Sequence, residues 1–319
     1  MKRGTVIGVL SIVAILGAGG GYVAQAVDNQ DEQPVRQAAT TGAARLVFLD
    51  KGRTLAQVPA ADPGAVPAPR GQSCVRSYTA ARTTICLRPV MLPAGFEAVI
   101  TREDRPVTEP LHIDGTPSRA RVSPSGRLAA WTVFRSGDSY DPGAFATTTG
   151  IYDTATGTHH GSLEDFSVIV DGEPYRREDR NFWGVTFAAD DETFYATMGS
   201  AKKIWLLRGK LSTRTLTAIG RDAECPSLSP DGTRLVYKKR VGEHWRLHVR
   251  KLAGGKETPL AETAGVDDQV AWLDGSTVAY SRPAGGRPAL FAVPADGGGA
   301  PRLLRREATS PALVSPTPS

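Results

Sequence analysis

The chain has 319 residues, 40% apolar and 22% charged, which excludes a wholly disordered protein. Lys and Arg total 38 against 33 Asp and Glu, a formal +5. That excess is too small and too evenly spread for a nucleic-acid binder. The 34 Gly and 23 Pro suit a loop-rich all-β chain.

At the N-terminus, Lys2 and Arg3 precede an apolar core from about Val6 to Leu16, and small residues run on to Ala24-Gln25-Ala26. This is the charged, apolar and A-x-A order of an export signal, so residues 1–26 read as a signal peptide. The alternative is an uncleaved membrane anchor, because Thr5 to Val23 is just long enough to span a bilayer. Either reading puts the remainder outside the cytoplasm. Residues 27–44 are polar and aperiodic and read as a flexible linker. Residues 45–315 form the expected domain, and 316–319 a loose tail.

Within the domain one pattern recurs. "ECPSLSPDGTRLVYKK", from Glu224, is echoed by "RARVSPSGRLAAWTVF" from Arg119, "FWGVTFAADDETFYATM" from Phe182 and "DQVAWLDGSTVAYSR" from Asp268. "CVRSYTAARTTICLR", from Cys74, is a weaker copy. The turns align at Tyr78, Ser123, Ala188, Ser229 and Leu273, giving spacings of 45, 65, 41 and 44 residues. In each copy an apolar strand enters a turn whose Pro, Asp or Gly supplies the special backbone angles. A second strand follows, and then a third that alternates. In "WRLHVRKL", Trp245, Leu247 and Val249 share one face while Arg246, His248 and Arg250 share the other. A short fourth strand closes the unit, as in "TLTAIG", "ETPLAE" and "APRLLR". Four strands every ~40–45 residues is the period of a propeller blade. "RLVFLD" at Arg45 and "TLAQVPAAD" at Thr54 lack a first strand, and "SPALVSP" at Ser310 is a first strand with nothing after it. The expected fold is therefore an all-β, six-bladed propeller whose C-terminal strand completes the N-terminal blade, preceded by the apolar signal or anchor helix.

These motifs resemble the repeat of TolB-like six-bladed propellers over about residues 45–315, and the Ala-, Gly- and Arg-rich style is similar to small exported actinobacterial members. TolB itself has an α/β domain before its propeller, where this chain has the 18-residue linker reading, so its envelope-complex role is not carried over. The fold is a specific expectation and the function is not, because propellers host many roles.

Of three cysteines, Cys74 and Cys86 are equidistant from position 80 on neighbouring strands, so antiparallel pairing would place them opposite each other as a disulfide. Cys225 is left over. It reads as a small buried residue on an inner strand, or alternatively as a reactive thiol at a channel mouth.

No G-x-S-x-G, H-E-x-x-H, C-x-x-C or P-loop occurs. Polar residues just before each first strand should ring one end of the channel: Ser73, Arg119, Asn181, Glu224, Asp267, Asp268 and Ser310. Converging polar groups make a ligand site there the default hypothesis. Glu224 with Asp267 and Asp268 would suit a divalent cation, and the alternative is a set of solvated loop residues. The longest departure from the repeat, 164–181, reads as a partner loop carrying Tyr175, Arg176 and Arg177, with Trp183 beside it. Lys238, Lys239, Arg240, Arg246 and Arg250 would contact anionic envelope material or form a solvated face.

The function expected is an exported, monomeric, non-enzymatic scaffold that binds a protein, a peptide or an envelope component. It needs no cofactor, contacts no nucleic acid, and meets the membrane only through an uncleaved N-terminus. The alternative is a propeller enzyme or small-ligand binder with a metal or polar site at the channel mouth.

Overall fold

The computed structural model describes residues 43–135 and 146–316. The leader, nearly all of the linker reading and the last three residues lie outside that range. Among the described residues no helix is long and apolar enough to cross a membrane.

Six β-sheets follow one another along the chain as blades. Blade 1 joins Thr309–Val314 to Arg45–Leu49, Thr54–Pro59 and Ala68–Ser73. Leu313 pairs with Leu46 and Ala312 with Val47, so the C-terminal strand closes the ring as expected. Blade 2 contains Arg76–Ala80, Thr83–Met91 and Ala94–Arg102, with Arg105–Pro106 and Leu111–Ile113 both paired to the last of these. Blade 3 has Thr116–Val122, Leu128–Arg135, Ala146–Asp153 and Thr158–Ser162. The strands of blade 4 are Asn181–Phe187, Thr193–Ser200, Lys203–Lys210 and Thr215–Arg221. Blade 5 has Glu224–Leu228, Arg234–Val241, His244–Lys251 and Glu257–Pro259, and blade 6 has Ala271–Trp272, Thr277–Ala284, Arg287–Pro294 and Arg302–Arg306.

The repeated Ser-Pro-x-Gly turn has a local chemical cause. The Ser229 hydroxyl accepts from Arg234 N at 3.0 Å, and Gly232 N donates to the Ser229 carbonyl at 2.8 Å. Gly232 sits at φ +70°, where a side chain would be strained. Ser123 does the same for Leu128 N at 3.0 Å. In blades 4 and 6 the aligned residues are Ala188 and Leu273, and an aspartate further along the turn takes over the serine's role. Asp190 accepts from Thr193 N at 2.8 Å, and Asp274 from Thr277 N at 2.7 Å.

Neighbouring blades pack through apolar faces and are pinned near the axis by buried threonines. Thr149 Oγ1 donates to the Phe182 carbonyl at 2.6 Å, and Cys225 N donates to Thr197 Oγ1 at 2.9 Å. The inner strands are bulged where they meet these hydroxyls, at Trp183/Thr186 and Glu224/Ser227.

The 164–181 insertion is folded. After a short 3-10 turn, Ser167–Val170 adds in parallel to the outer strand of blade 4 and Glu173–Pro174 turns back on it. Phe166 and Val168 are buried, with the Phe166 ring edge-on to Phe194 at 6.1 Å. The segment covers a sheet edge that would otherwise present unpaired backbone groups.

Cys74 and Cys86 form the expected disulfide, with Cα atoms 5.4 Å apart. The expected register is corrected. Cys86 pairs with Ser77, because the hairpin turns on Ala81 and Arg82 between paired Ala80 and Thr83. Cys74 lies before the inner strand of blade 2 and reaches Cys86 diagonally.

Candidate functional site

The first strand of every blade runs along the axis in the same sense, so the ring has a start end and a turn end. Of the polar residues read from the sequence as a ring at the start end, Arg119 and Asp267 bond to each other and the rest have other partners or lie apart. Asp267 accepts from Arg119 Nη2 at 3.0 Å and from the Lys238 ammonium. Lys238 is only 4% exposed and Arg119 only 11%. Burial opposes ionisation of Asp267, but Lys238 and then Arg119 outweigh it and hold the carboxyl below its ordinary range. Burial would likewise weaken the Arg119 charge, yet Cys225, Asp268 and Asp267 hold its affinity for the proton above normal. Arg119 Nε donates to the buried Cys225 Sγ at 3.4 Å.

The other expected mouth residues have separate tasks. Asp268 accepts from Ser281 N at 2.7 Å, and Glu224 from Trp245 Nε1 at 2.7 Å. Asn181 ties blades 3 and 4, accepting from Thr147 N at 2.8 Å. Ser73 is exposed at the end of an outer strand, and Ser310 is half-buried beside the axis. Glu224, Asp267 and Asp268 are thus held apart by different partners. Among the described residues no group of three His, Cys, Asp or Glu side chains is placed to hold a metal. The space among Arg76, Arg119, Asp268 and Ser310 is about 20 Å³, roughly one water.

Just inside this cluster the axis is crossed by two buried side chains. Gln269 Nε2 donates to the Val185 carbonyl at 2.9 Å and the Pro226 carbonyl at 2.8 Å, joining blades 4, 5 and 6. Arg121, 4% exposed, lies with its guanidinium 4.3 Å from the Tyr78 ring centre and donates from Nη2 to the Val270 carbonyl at 3.0 Å.

Beyond that floor the turn end opens into a cavity of about 620 Å³. All six blades contribute to its wall: Leu313 and Pro316, Tyr78, Arg121 and Pro124, Thr186 and Phe187, Ser227 to Gly232, and Trp272. Trp272 is fixed by its indole N–H on the Ser227 carbonyl at 3.1 Å and by the Arg234 guanidinium 5.2 Å from its ring. The sequence points to a ligand site at the other end of the channel. The residues here are turn formers and strand ends, and the one usable signal was Arg121, a second cation on the same short inner strand as Arg119.

The partner-loop residues divide. Arg176 and Arg177 are exposed, Arg177 pairing with Asp179 at 3.0 Å. Tyr175 lies against Trp205 with ring centres 6.2 Å apart and shares a 2.9 Å hydrogen bond with Ser200, and Trp183 is buried. The basic cluster is largely engaged as well. Lys239 meets Glu257 at 2.8 Å, Arg246 the Glu262 carbonyl at 3.0 Å, and Arg250 the Ile219 carbonyl at 3.2 Å.

No protein-family model matches the chain, and no curated protein sequence matches it. Solved structures match its fold. TolB from Acinetobacter baumannii aligns with TM-score 0.62 and 17% identity, over 85% of this chain and 66% of that one. A chain of the nidogen–laminin complex aligns at 0.56 and 10% identity, over 86% of this chain and 100% of that one. The putative TolB from Agrobacterium tumefaciens aligns at 0.51 and 10% identity, over 83% and 89%.

Proposed function

From the TolB-like six-bladed propeller fold that this chain has, we propose that the protein is an exported, non-enzymatic binding module whose ligand enters the turn end of the ring. The observation that carries this reading is the 620 Å³ cavity on the axis, walled by every blade. That volume is within the range of small-ligand and peptide pockets. The start end, filled by paired side chains, acts as a plug and a frame. Export is supported by the leader pattern and by the Cys74–Cys86 bond, which persists in oxidising compartments. Arg176 and Arg177, exposed beside the folded insertion, offer a secondary contact for a larger partner.

The test is a binding screen of peptides and small acids against the purified domain and its Leu313→Trp variant. Leu313 is half-buried on the closing strand and lines the cavity. Binding that weakens at least tenfold in the variant supports the turn-end site. Binding unchanged by the substitution overturns it.

A further inference from the structure

The floor of the cavity carries a charge that the protein leaves without a counterion. Arg119 and Arg121 are two residues apart on the same inner strand. Arg119 is neutralised by Asp267. Lys238 shares that carboxylate, and the largely buried Arg282 meets Glu262 at 2.7 Å. Among the described residues Arg121 forms no ion pair. Its Nε is buried without a partner, and its one hydrogen bond goes to the Val270 carbonyl. A ring face and one carbonyl are weak compensation for a buried guanidinium, since a desolvated charge is costly unless paired.

The walls narrow the ligand class. Among the residues lining the cavity, Arg121 is the cationic one and Asp231 the anionic one. Asp231 is occupied within its own turn by Ser229 Oγ, by Thr233 N at 3.0 Å and by Arg234 at 3.8 Å. Tyr78, Phe187, Trp272 and Leu313 supply apolar surface above the guanidinium. A single cation with no neighbouring Lys or Arg in the wall suits a singly charged, planar anion better than a phosphate. Resting on the turn-end reading above, we propose that Arg121 receives a carboxylate borne by an apolar body. Two sources share that chemistry: the C-terminus of a peptide ending in a hydrophobic residue, and a free aryl or alkyl carboxylic acid.

The experiment is calorimetric titration of the intact domain with matched acid and amide pairs. The probes are 3-phenylpropanoate and its amide, and the peptide Gly-Ser-Gly-Ala-Phe with a free or amidated C-terminus. The expected result is that at least one acid binds ten- to a hundredfold more tightly than its amide, as one charge-assisted contact predicts. Arg121→Gln should erase that preference and Arg121→Lys retain part of it. Binding by the peptide acid alone identifies a chain terminus, and binding by both acids shows that the small acid suffices.

Equal affinity for acid and amide overturns the carboxylate assignment. If Leu313→Trp then still weakens both probes, the cavity reading stands without it. A preference that survives both Arg121→Gln and Leu313→Trp places the site elsewhere and removes both readings. No binding of either acid at millimolar concentration also overturns the assignment. Should Arg121→Gln fail to fold, the acid–amide comparison on the unmodified protein and the Arg121→Lys variant decide the question.

Discussion

Replacing Asp267 with alanine tests whether the start end is a built plug. The substitution strands two cations that share one carboxylate, Lys238 at 4% exposure and Arg119 at 11%. Breaking a buried ion pair costs about 3–5 kcal/mol, whereas an exposed pair is worth about 0–1 kcal/mol. Asp267 itself is 58% exposed, so water can enter its place while the Lys238 ammonium stays enclosed. Discounting for that access leaves a cost of about 2 kcal/mol. For a domain of this size that lowers Tm by about 4–8 °C. Urea unfolding followed by tryptophan fluorescence should show a lower midpoint with an unchanged slope. The double variant Asp267→Ala/Lys238→Met should recover about 1 kcal/mol, because it removes a stranded charge. A loss below about 0.5 kcal/mol, or no recovery in the double variant, would refute the plug as a source of stability.

Three further outcomes follow from the geometry. Converting both Cys74 and Cys86 to serine opens a loop of 12-residue separation, and the chain-entropy account gives a loss of about 3 kcal/mol in denaturant unfolding. Gly184 has φ +69°, and a Cβ there would lie 2.6 Å from Cys225 Cα, so Gly184→Ala should cost about 2 kcal/mol or more by the same assay. Burial would raise the Asp153 pKa, but Arg127 and the N–H groups of Ala155 and Thr156 bring it down to about 2. A depressed carboxylate stabilises the fold above its unfolded pKa near about 4 and loses that contribution as pH falls toward about 2. The Tm difference between the native protein and Asp153→Asn should therefore be full at pH ~5–6 and shrink through pH ~4 to ~2.

The architecture was readable because each blade writes its turn into the sequence. The returning strand must be bonded by a turn side chain, so a serine at the aligned position (Ser123, Ser229) or an aspartate one or two residues past it (Asp274, Asp190) recurs from blade to blade. The shared blade was visible for a similar reason: Thr309–Val314 has the apolar content of an inner strand and no second strand after it. Pairing details were harder. Cys86 lies opposite Ser77 because Ala81 adopts φ +48° in a tight two-residue turn, a conformation that alanine does not advertise. The candidate site was harder still. Strand order puts Arg119 and Asp267 at the same end of the axis, but says nothing of whether they face a ligand or each other. They face each other. Part of the cavity wall is Pro124, Ser229, Pro230 and Gly232, whose chemistry is explained by the turns they form. Only the placement of Arg121 beneath them, without a carboxylate, turns that wall into a pocket with a preference.

The closing strand has a temporal consequence. Leu46 pairs with Leu313, so during synthesis the first strand among the described residues waits for the last. Such distant pairing slows folding, because loop-closure entropy is lost before contacts reward it. Leu313, Ser315 and Pro316 also line the turn-end cavity. A partly synthesised or prematurely terminated ring therefore lacks both its seam and one side of its pocket. A ligand held there would favour the sealed form over the open one by mass action, so occupancy would act as a latch on completed molecules.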